Sequence, residues 1–450
     1  MMKPDPRGIA VGILNEADRG AFAEPLLDRI LSGKGVANPR DRGLLTMLVY
    51  GVLRMRGRLD WTLRRFYHGD YDAAEGGLRN ILRTAAYQIL FMDRIPDYAV
   101  VSESVEAARR MFPGRERLVN GVLRGLLRGK DRLEYPDPEA EPAAHISVFH
   151  SHPLWLVEKW IGRFGVSETR AMCEAGNGIP PFCLRVNRLR ADRDSLAAEL
   201  RANGIKVSIA PVSPDGIFLE EAETPLRESG FFRTGSVQVQ DEASQLISIL
   251  TDPPPEGKVL DLCSGIGGKT THLAEIMGDK GEVVAVDIRP EKLRSLRKLA
   301  RRLGISIIAT LVGDATRDLG ASLHGKFDRV LVDAPCSGTG TLRRNPEIKW
   351  RLTPGDLPGL QSLQAGILDR AALYPGKGGF LVYSTCSLLA EENEETVDAF
   401  LARNGAYRPA RPYPAAVRAL VGSDGFFRTS PHRNGMDGFF AAVLERIRGN

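Results

Sequence analysis

The 450-residue sequence predicts a multidomain protein: an all-α bundle, a small α/β subdomain, and a larger α/β domain built on a doubly wound parallel sheet. Three observations predict it. The first 130 residues place apolar side chains at helical spacing and show no alternating strand pattern. The middle of the chain alternates strand, helix, strand, strand. From about residue 257, short Val/Ile/Leu-rich runs alternate with helical stretches, the pattern of a parallel sheet covered on both faces.

The length exceeds what one core organises and allows two or three. A hydrophobic fraction of 43% and a charged fraction of 26% are those of a soluble globular protein. The five cysteines, Cys173, Cys183, Cys263, Cys336 and Cys386, are scattered, with no C-x-x-C pair. Neither a metal site nor a disulfide framework is expected, and a reduced, cytoplasmic setting is. The first twenty residues have no apolar core of the signal-peptide kind, so no signal peptide is expected. No run approaches the ~18 apolar residues of a membrane span.

Residues 1–130 form the predicted bundle. "GLLTMLVYGVLRMRGRLDWTLRRFY" sets Leu45, Val49, Val52 and Leu53 at helical spacing, with Arg54, Arg58 and Arg65 between them. "GLRNILRTAAYQILFM" and "RLVNGVLRGLLRGK" read the same way. This region holds 22 Lys and Arg against 15 Asp and Glu, whereas the remainder holds 39 against 41. A basic module on a near-neutral body points to a polyanionic partner, although a solvated helical surface has the same composition. Residues 131–145, "DRLEYPDPEAEPAAH", lack periodicity and read as a linker. The small α/β subdomain is expected over 146–235, from "HPLWLVEKWIGRFG" through "FCLRVNRL", "RDSLAAELRANGI", "KVSIAP" and "GIFLE".

The third domain, 236–450, carries the strand-like runs "KVLDLC", "EVVAVDI", "ISIIATLVGD", "FDRVLVDAP" and "GFLVYSTC". In such sheets ligands bind beyond the carboxyl ends of the strands, near the topological switch. Cys263, Asp287, Asp314, Asp333, Cys336 and Cys386 all fall at those ends.

"VLDLCSGIGGKTTHLAE" reads as a strand, a glycine loop and a helix start. Gly265, Gly267 and Gly268 let backbone approach a ligand, and the helix start offers free N–H groups. Alone, such a loop serves NAD, a phosphate or S-adenosylmethionine, or merely turns the chain. Asp287 lies 26 residues after Asp261, where it can accept from a ribose diol, and Asp314 can meet an adenine edge. A nucleoside cofactor is therefore favoured over a bare phosphate. Gly268-Lys269-Thr270 is not a P-loop, because the glycine required five residues earlier is Cys263.

Two strand-end cysteines find no use in hydride transfer. They do find one in methylation of cytosine C5 by S-adenosylmethionine. That carbon is a poor nucleophile until a thiolate adds at C6. The adduct must later lose the C5 proton and the thiol, so one cysteine can attack and a second group can assist release. Asp333 can hold the N3/N4 edge of the base. Cys173 and Cys183 read as small buried hydrophobes, and Cys263 as a packing residue of the loop.

"DAPCSGTGTLRRNPEIKWR" and "YSTCSLLAEENEETV" resemble the paired cysteine motifs of the RNA 5-methylcytosine methyltransferases, the Sun family. "DLCSGIGGKTTH" resembles that family's cofactor loop, "VQDEASQL" its upstream motif and "PHRNGMDGFFAAVLER" its terminal one. "DRGLLTMLVYGVLR", "IPDYAVVSESVEAAR" and "LVNGVLR" resemble the NusB-like domain found in the branch acting on small-subunit (16S) ribosomal RNA. The resemblance covers nearly the whole chain. It implies a Rossmann-like class I methyltransferase domain, Cys386 as nucleophile, Cys336 as the cysteine that assists release, and Asp333 at the junction of substrate and cofactor. It implies that Cys263, Ser264, Gly265, Ile266, Gly267, Gly268 and Lys269, with Asp287, Asp314 and Asp333, bind S-adenosylmethionine. It implies that the NusB-like domain and the middle subdomain around "LRVN" hold RNA. The loop departs from the family's usual C-A-A-P-G-G-K-T: Ile266 stands where proline fixes φ, and Gly265 adds freedom. "DGFF" occurs at 424–427 and 437–440, and only the second has the family context.

A monomeric enzyme is expected. The alternatives are a non-catalytic RNA-binding or ribosome assembly factor with a vestigial methyltransferase body and, more distantly, a dehydrogenase. The intact set of Cys336, Cys386, Asp333, Asp287 and Lys269 argues against decay.

Overall fold

The computed structural model describes residues 5–33, 36, 38–221, 229–410 and 413–448; Met1–Pro4 of the expected bundle lie outside them. The chain divides into two compact units, Met1–Ile179 with Leu342–Leu352, and Pro180–Thr341 with Thr353–Asn450. No helix among the described residues is long and apolar enough to cross a membrane.

The first unit is all helical. Its helices are α1 (Pro6–Asp18), α2 (Ala23–Ser32), α3 (Pro39–Arg64), α4 (Gly76–Phe91), α5 (Asp97–Met111), α6 (Glu116–Gly129), α7 (Pro142–Phe149), α8 (Leu154–Phe164) and α9 (Val166–Gly176). α1 and α3 start with proline in the first turn behind Asp5 and Asn38, whose carboxylate and amide oxygens accept backbone N–H groups left over at the helix start. Leu45, Leu48, Val49, Val52 and Leu53 of α3 are buried at helical spacing, against Ile81, Leu82 and Ala85 of α4 in the same core.

The stretch 131–145 is tied down: Tyr135 stacks on Trp61 at 4.8 Å, and its hydroxyl accepts from Arg58 Nε at 2.9 Å. α7 already begins at Pro142, and α7 to α9 belong to the helical unit rather than to the α/β subdomain. An apolar stripe shows that a helix has a face to bury, not which core takes it.

Leu342–Leu352 also belongs to this unit. The Lys349 ammonium is buried and donates to Arg54 O (2.9 Å), Ser151 O (2.9 Å) and Asn177 Oδ1 (2.8 Å), and burial pulls it down to about 7. Trp350 Nε1 donates to Leu53 O at 2.7 Å. The "PEIKWR" of the sequence is thus a set of packing anchors.

The second unit holds two sheets. The smaller is antiparallel, in the order β2-β3-β1-β4, from β1 (Phe182–Val186), β2 (Lys206–Ile209), β3 (Gly216–Glu221) and β4 (Val237–Val239). The helix Arg193–Ala202 between β1 and β2 buries Leu196, Ala197 and Leu200 in that sheet's core. The larger sheet comprises β5 (Lys258–Leu262), β6 (Glu282–Asp287), β7 (Ile308–Val312), β8 (Phe327–Asp333), β9 (Pro375–Thr385), β10 (Tyr407–Pro409), β11 (Phe427–Arg428) and β12 (Phe440–Arg446). Its order is β10-β12-β9-β8-β5-β6-β7, with β11 paired to β12. β5 to β9 run parallel, and β10 and β12 close one side antiparallel, so the sheet is mixed at that edge.

β5 sits at the centre, and the chain moves from it to β6 and β7 on one side before crossing to β8 on the other. The switch point therefore lies between the carboxyl ends of β5 and β8, where Leu262 pairs with Val332.

Candidate active site

At the switch point lies a cleft of about 740 Å³. The expected residues Cys263, Ser264, Gly265, Ile266, Gly268, Lys269, Asp287, Asp314, Asp333 and Cys336 all line it. Gly267 does not. It caps the helix Gly268–Ile276 with φ +93°, and a Cβ there would stand 2.5 Å from Leu296, so this glycine serves close packing. Sequence reasoning passed over Ser244, Lys292, Thr316, Leu363 and Ile367, which also line the cleft. Ser244 comes from "VQDEASQL", where its hydroxyl accepts from Gln240 Nε2 at 3.1 Å.

The glycine loop is held by the strand beside it. Asp287 accepts Gly265 N–H on Oδ2 (3.0 Å) and Arg289 N–H on Oδ1 (2.8 Å), and Lys292 Nζ lies 3.8 Å from Oδ2. Gly265 has φ +59°, a left-handed turn made without a proline at the next position, and Ile266 is exposed at the cleft. Cys263 also has a positive φ, +63°, and burial pushes its thiol up to about 12, which makes it an unreactive loop residue. Asp314 accepts Thr316 N–H (2.9 Å) and Thr316 Oγ (2.7 Å), bonds that hold its carboxyl below the usual range.

Two polar atoms at the cleft lack a hydrogen-bond partner among the described residues: Asp261 Oδ1 and Ser264 Oγ, both buried. Asp261 Oδ2 accepts from Thr270 Oγ at 2.5 Å. Burial, opposed by that bond and aided by the charges of Asp333 and Asp287, pushes the Asp261 carboxyl up to about 7. Unpartnered buried oxygens are costly, and a cofactor carrying amino and hydroxyl groups would satisfy them. The fit to a nucleoside cofactor thus rests on these orphaned oxygens as well as on the glycine loop.

Lys269 reaches across from the loop after β5 to the end of β8. Its Nζ lies 2.6 Å from Asp333 Oδ2, and Asp333 Oδ1 accepts from Ser384 Oγ at 3.1 Å. Burial alone would pull Lys269 down, but Asp333 outweighs it and holds the ammonium above its ordinary value. The same ammonium lies 4.9 Å from the centre of the Phe439 ring, which belongs to the second "DGFF".

The two cysteines meet. Cys336 follows β8, Cys386 follows β9, and their sulfurs are 3.3 Å apart. The hydrogen bond with Cys386, then burial, then the charges of Cys386 and Glu392 hold the Cys336 thiol well above its ordinary value. Cys336 is therefore held in its protonated form. Cys173 and Cys183 are buried away from the cleft lining, as expected of packing residues.

The terminal motif builds the back of the site. Gly340 N–H donates to Cys386 O (2.9 Å), and Gly438 N–H donates to Gly340 O (2.8 Å). The first "DGFF" has a different use: Phe427 is buried in the core and Asp424 pairs with Arg428.

"LRVN" is consumed internally. Arg185 is fully buried, paired with Glu275 at 2.7 Å and bonded to Gly268 O at 2.7 Å, so it braces the start of the loop helix. Asn187 Nδ2 donates to Gly235 O and Leu303 O, both at 2.9 Å. These two side chains are therefore not presented to RNA.

Comparison with known proteins shows what the chain is similar to. Residues 248–445 match the family model described as 16S rRNA methyltransferase RsmB/F. Residues 4–128 match the NusB family, and 152–225 a RsmF/B-like ferredoxin-like domain, a span that begins in helices packed here with the first unit. The chain is 34% identical to a probable ribosomal RNA small subunit methyltransferase B of Bacillus subtilis, covering 99% of this chain and 100% of that one. It is 37% identical to ribosomal RNA small subunit methyltransferase B of Pseudomonas putida, covering 94% and 97%. The crystal structure of PH0851 superposes with a TM-score of 0.83 at 29% identity, over 98% of this chain and 99% of that one.

Proposed function

Because the chain belongs to the RsmB/F family of 16S rRNA methyltransferases, we propose that it methylates C5 of a cytosine in 16S ribosomal RNA, with S-adenosylmethionine as donor and a covalent Cys386–C6 adduct. The observation that carries this reading is the 3.3 Å approach of Cys336 and Cys386 sulfurs beside the Lys269–Asp333 pair. One strand-end thiol serves many chemistries; two in contact at a cofactor cleft serve addition and elimination.

S-adenosylmethionine, when bound, supplies an electrophilic methyl group. Asp261, Ser264 and the backbone of Gly265, Ile266, Gly268 and Lys269 would hold it, with Asp287 and Asp314 facing its nucleoside. Cys386 adds as the thiolate to C6. N3 takes up a proton from solvent on attack, and the Cys336 thiol gives its own proton to solvent, so the balance closes without Cys336 taking part in the attack. This release is favoured at that moment: the hydrogen bond and the charge of Cys386, which held the Cys336 proton, vanish once Cys386 is bonded to carbon. C5 would then receive the methyl group that the donor held by Asp261, Ser264 and the glycine loop supplies, the donor sulfur keeping the electron pair. Cys336, now a thiolate, takes the C5 proton. The C6–Sγ bond breaks, its electron pair returns to Cys386, and the N3 proton leaves to solvent. Asp333 faces the N3/N4 edge throughout. The five thiols are free, which suits a cytoplasmic enzyme.

The test is bisulfite sequencing of 16S rRNA treated with Cys386→Ala and Cys336→Ala. Cys386→Ala leaves no 5-methylcytosine and no adduct; Cys336→Ala accumulates a denaturant-stable RNA–protein band. Full methylation by Cys386→Ala would overturn the mechanism.

A further inference from the structure

Both catalytic cysteines are followed by serine, and the two serines converge on one buried side chain. Glu392, in the "LLAEEN" that follows Cys386, is fully buried. Its Oε1 accepts Ser337 N–H at 2.7 Å and Gln364 Nε2–H at 2.9 Å. Its Oε2 accepts the Ser337 hydroxyl at 2.5 Å and the Ser387 hydroxyl. None of these four donors is a cation. Thr339 Oγ lies 3.1 Å from Ser387 Oγ and accepts Leu388 N–H at 2.9 Å, so both loops are laced around the same point.

A buried carboxylate without a counter-ion is expensive, and only full hydrogen bonding offsets the cost. A carboxylate is acceptor-only, so it fixes the direction of every hydrogen aimed at it. An amide in its place would turn an N–H₂ toward one pair of donors, and at the Oε1 side those donors have no alternative direction. An amide would therefore have to present its N–H₂ to the two serine hydroxyls, reversing the direction of both of those bonds.

We propose that Glu392 is a positioning residue for methyl transfer: by gripping Ser337 and Ser387, it sets the separation of the sulfurs of Cys336 and Cys386. The grip acts one residue from each sulfur. It holds Ser337 by backbone and side chain, and Ser387 by side chain, while Gly340 N–H to Cys386 O ties the two loops on the far side. Its negative charge has a second effect, because it opposes ionisation of Cys336 and so helps keep the shared proton there before attack. The proposal rests on the two-cysteine reading of the reaction, and it explains why the sequence repeats Cys-Ser rather than Cys alone.

The experiment compares wild type, Glu392→Gln, Ser387→Ala and the double variant on 16S rRNA carrying 5-fluorocytosine. Fluorine cannot leave C5 as a proton does, so the adduct persists after methyl transfer and its formation can be timed. For Glu392→Gln we expect adduct formation slowed tenfold or more, full final yield, and KM for RNA and S-adenosylmethionine within twofold of wild type. Ser387→Ala keeps three of the four donors and folds even if Glu392→Gln does not; it should slow the same step several-fold. The double variant should be no slower than Glu392→Gln, since both changes cut one linkage. A reduced final yield at unchanged rate would mean that Glu392 only maintains the fold, and would overturn the proposal, as would wild-type rates or additive effects. Absence of adduct with the wild-type enzyme would instead remove the two-cysteine mechanism itself.

Discussion

Lys269 Nζ lies 2.6 Å from Asp333 Oδ2, an ion pair that joins the start of the helix after the glycine loop to the carboxyl end of β8. The pair spans the topological switch, so it links the part of the cleft that would hold the donor to the part that would hold the base.

Lys269→Met leaves Asp333 beside two other acids, Asp261 and Asp287, with no cation in contact. Breaking a fully buried pair costs about 3–5 kcal/mol, and the partial exposure of Asp333 reduces that to about 1–2 kcal/mol. Thermal melts should fall by a few degrees, and methylation should fall at least tenfold. Lys269→Met/Asp333→Asn should regain the lost stability without regaining activity. Recovery of both would show that the pair has no part in the reaction.

Asp261 gives a pH dependence with a definite sign. Its carboxyl stands at about 7 in the fold, against an ordinary value near ~4. Between those values the folded state binds more protons than the unfolded one, so stability falls as pH rises from ~4 toward 7, then levels off. Asp261→Asn removes the charge and keeps an acceptor for Thr270 Oγ. The variant should melt higher than wild type above pH 7 and no higher near pH 4. Its affinity for S-adenosylmethionine should fall about tenfold by calorimetry, because the unpartnered Oδ1 is lost. An unchanged affinity would take Asp261 out of the cofactor site.

The sequence made the parallel strands and the cleft legible because strand ends carry the chemistry in this architecture, and acids and cysteines stood at those ends. It did not show which core the helices 142–176 join, since an amphipathic stripe has no address. It misdirected "LRVN": Arg185 and Asn187 look exposed by type, but each found enough internal partners to be buried. Glu392 is not legible in "LLAEEN", because its meaning depends on two serines fifty residues apart that only folding brings together. The Cys-Ser repeat was the available signal.

Gly340 tests how the terminal motif serves the site. A Cβ at this position would stand 2.0 Å from Gly438 O and 2.9 Å from Gly438 Cα, both backbone atoms that cannot swing aside. Gly340 N–H also holds Cys386 O, and Gly438 N–H holds Gly340 O. Gly340→Ala must therefore push "MDGFF" away from the loop after Cys336 and lose the bond to Cys386. Overpacking of this kind costs roughly 1–3 kcal/mol, and each lost buried hydrogen bond adds about 1 kcal/mol. The melting temperature should drop by several degrees. The rate should fall further than that loss implies, because Cys386 itself moves. Gly366→Ala lies on the helix Leu357–Ala371, with open space where its Cβ would go, and serves as the control. It should leave activity unchanged and stability equal or slightly raised. A Gly340→Ala variant as active as that control would show that the terminal motif packs behind the cysteines without constraining them.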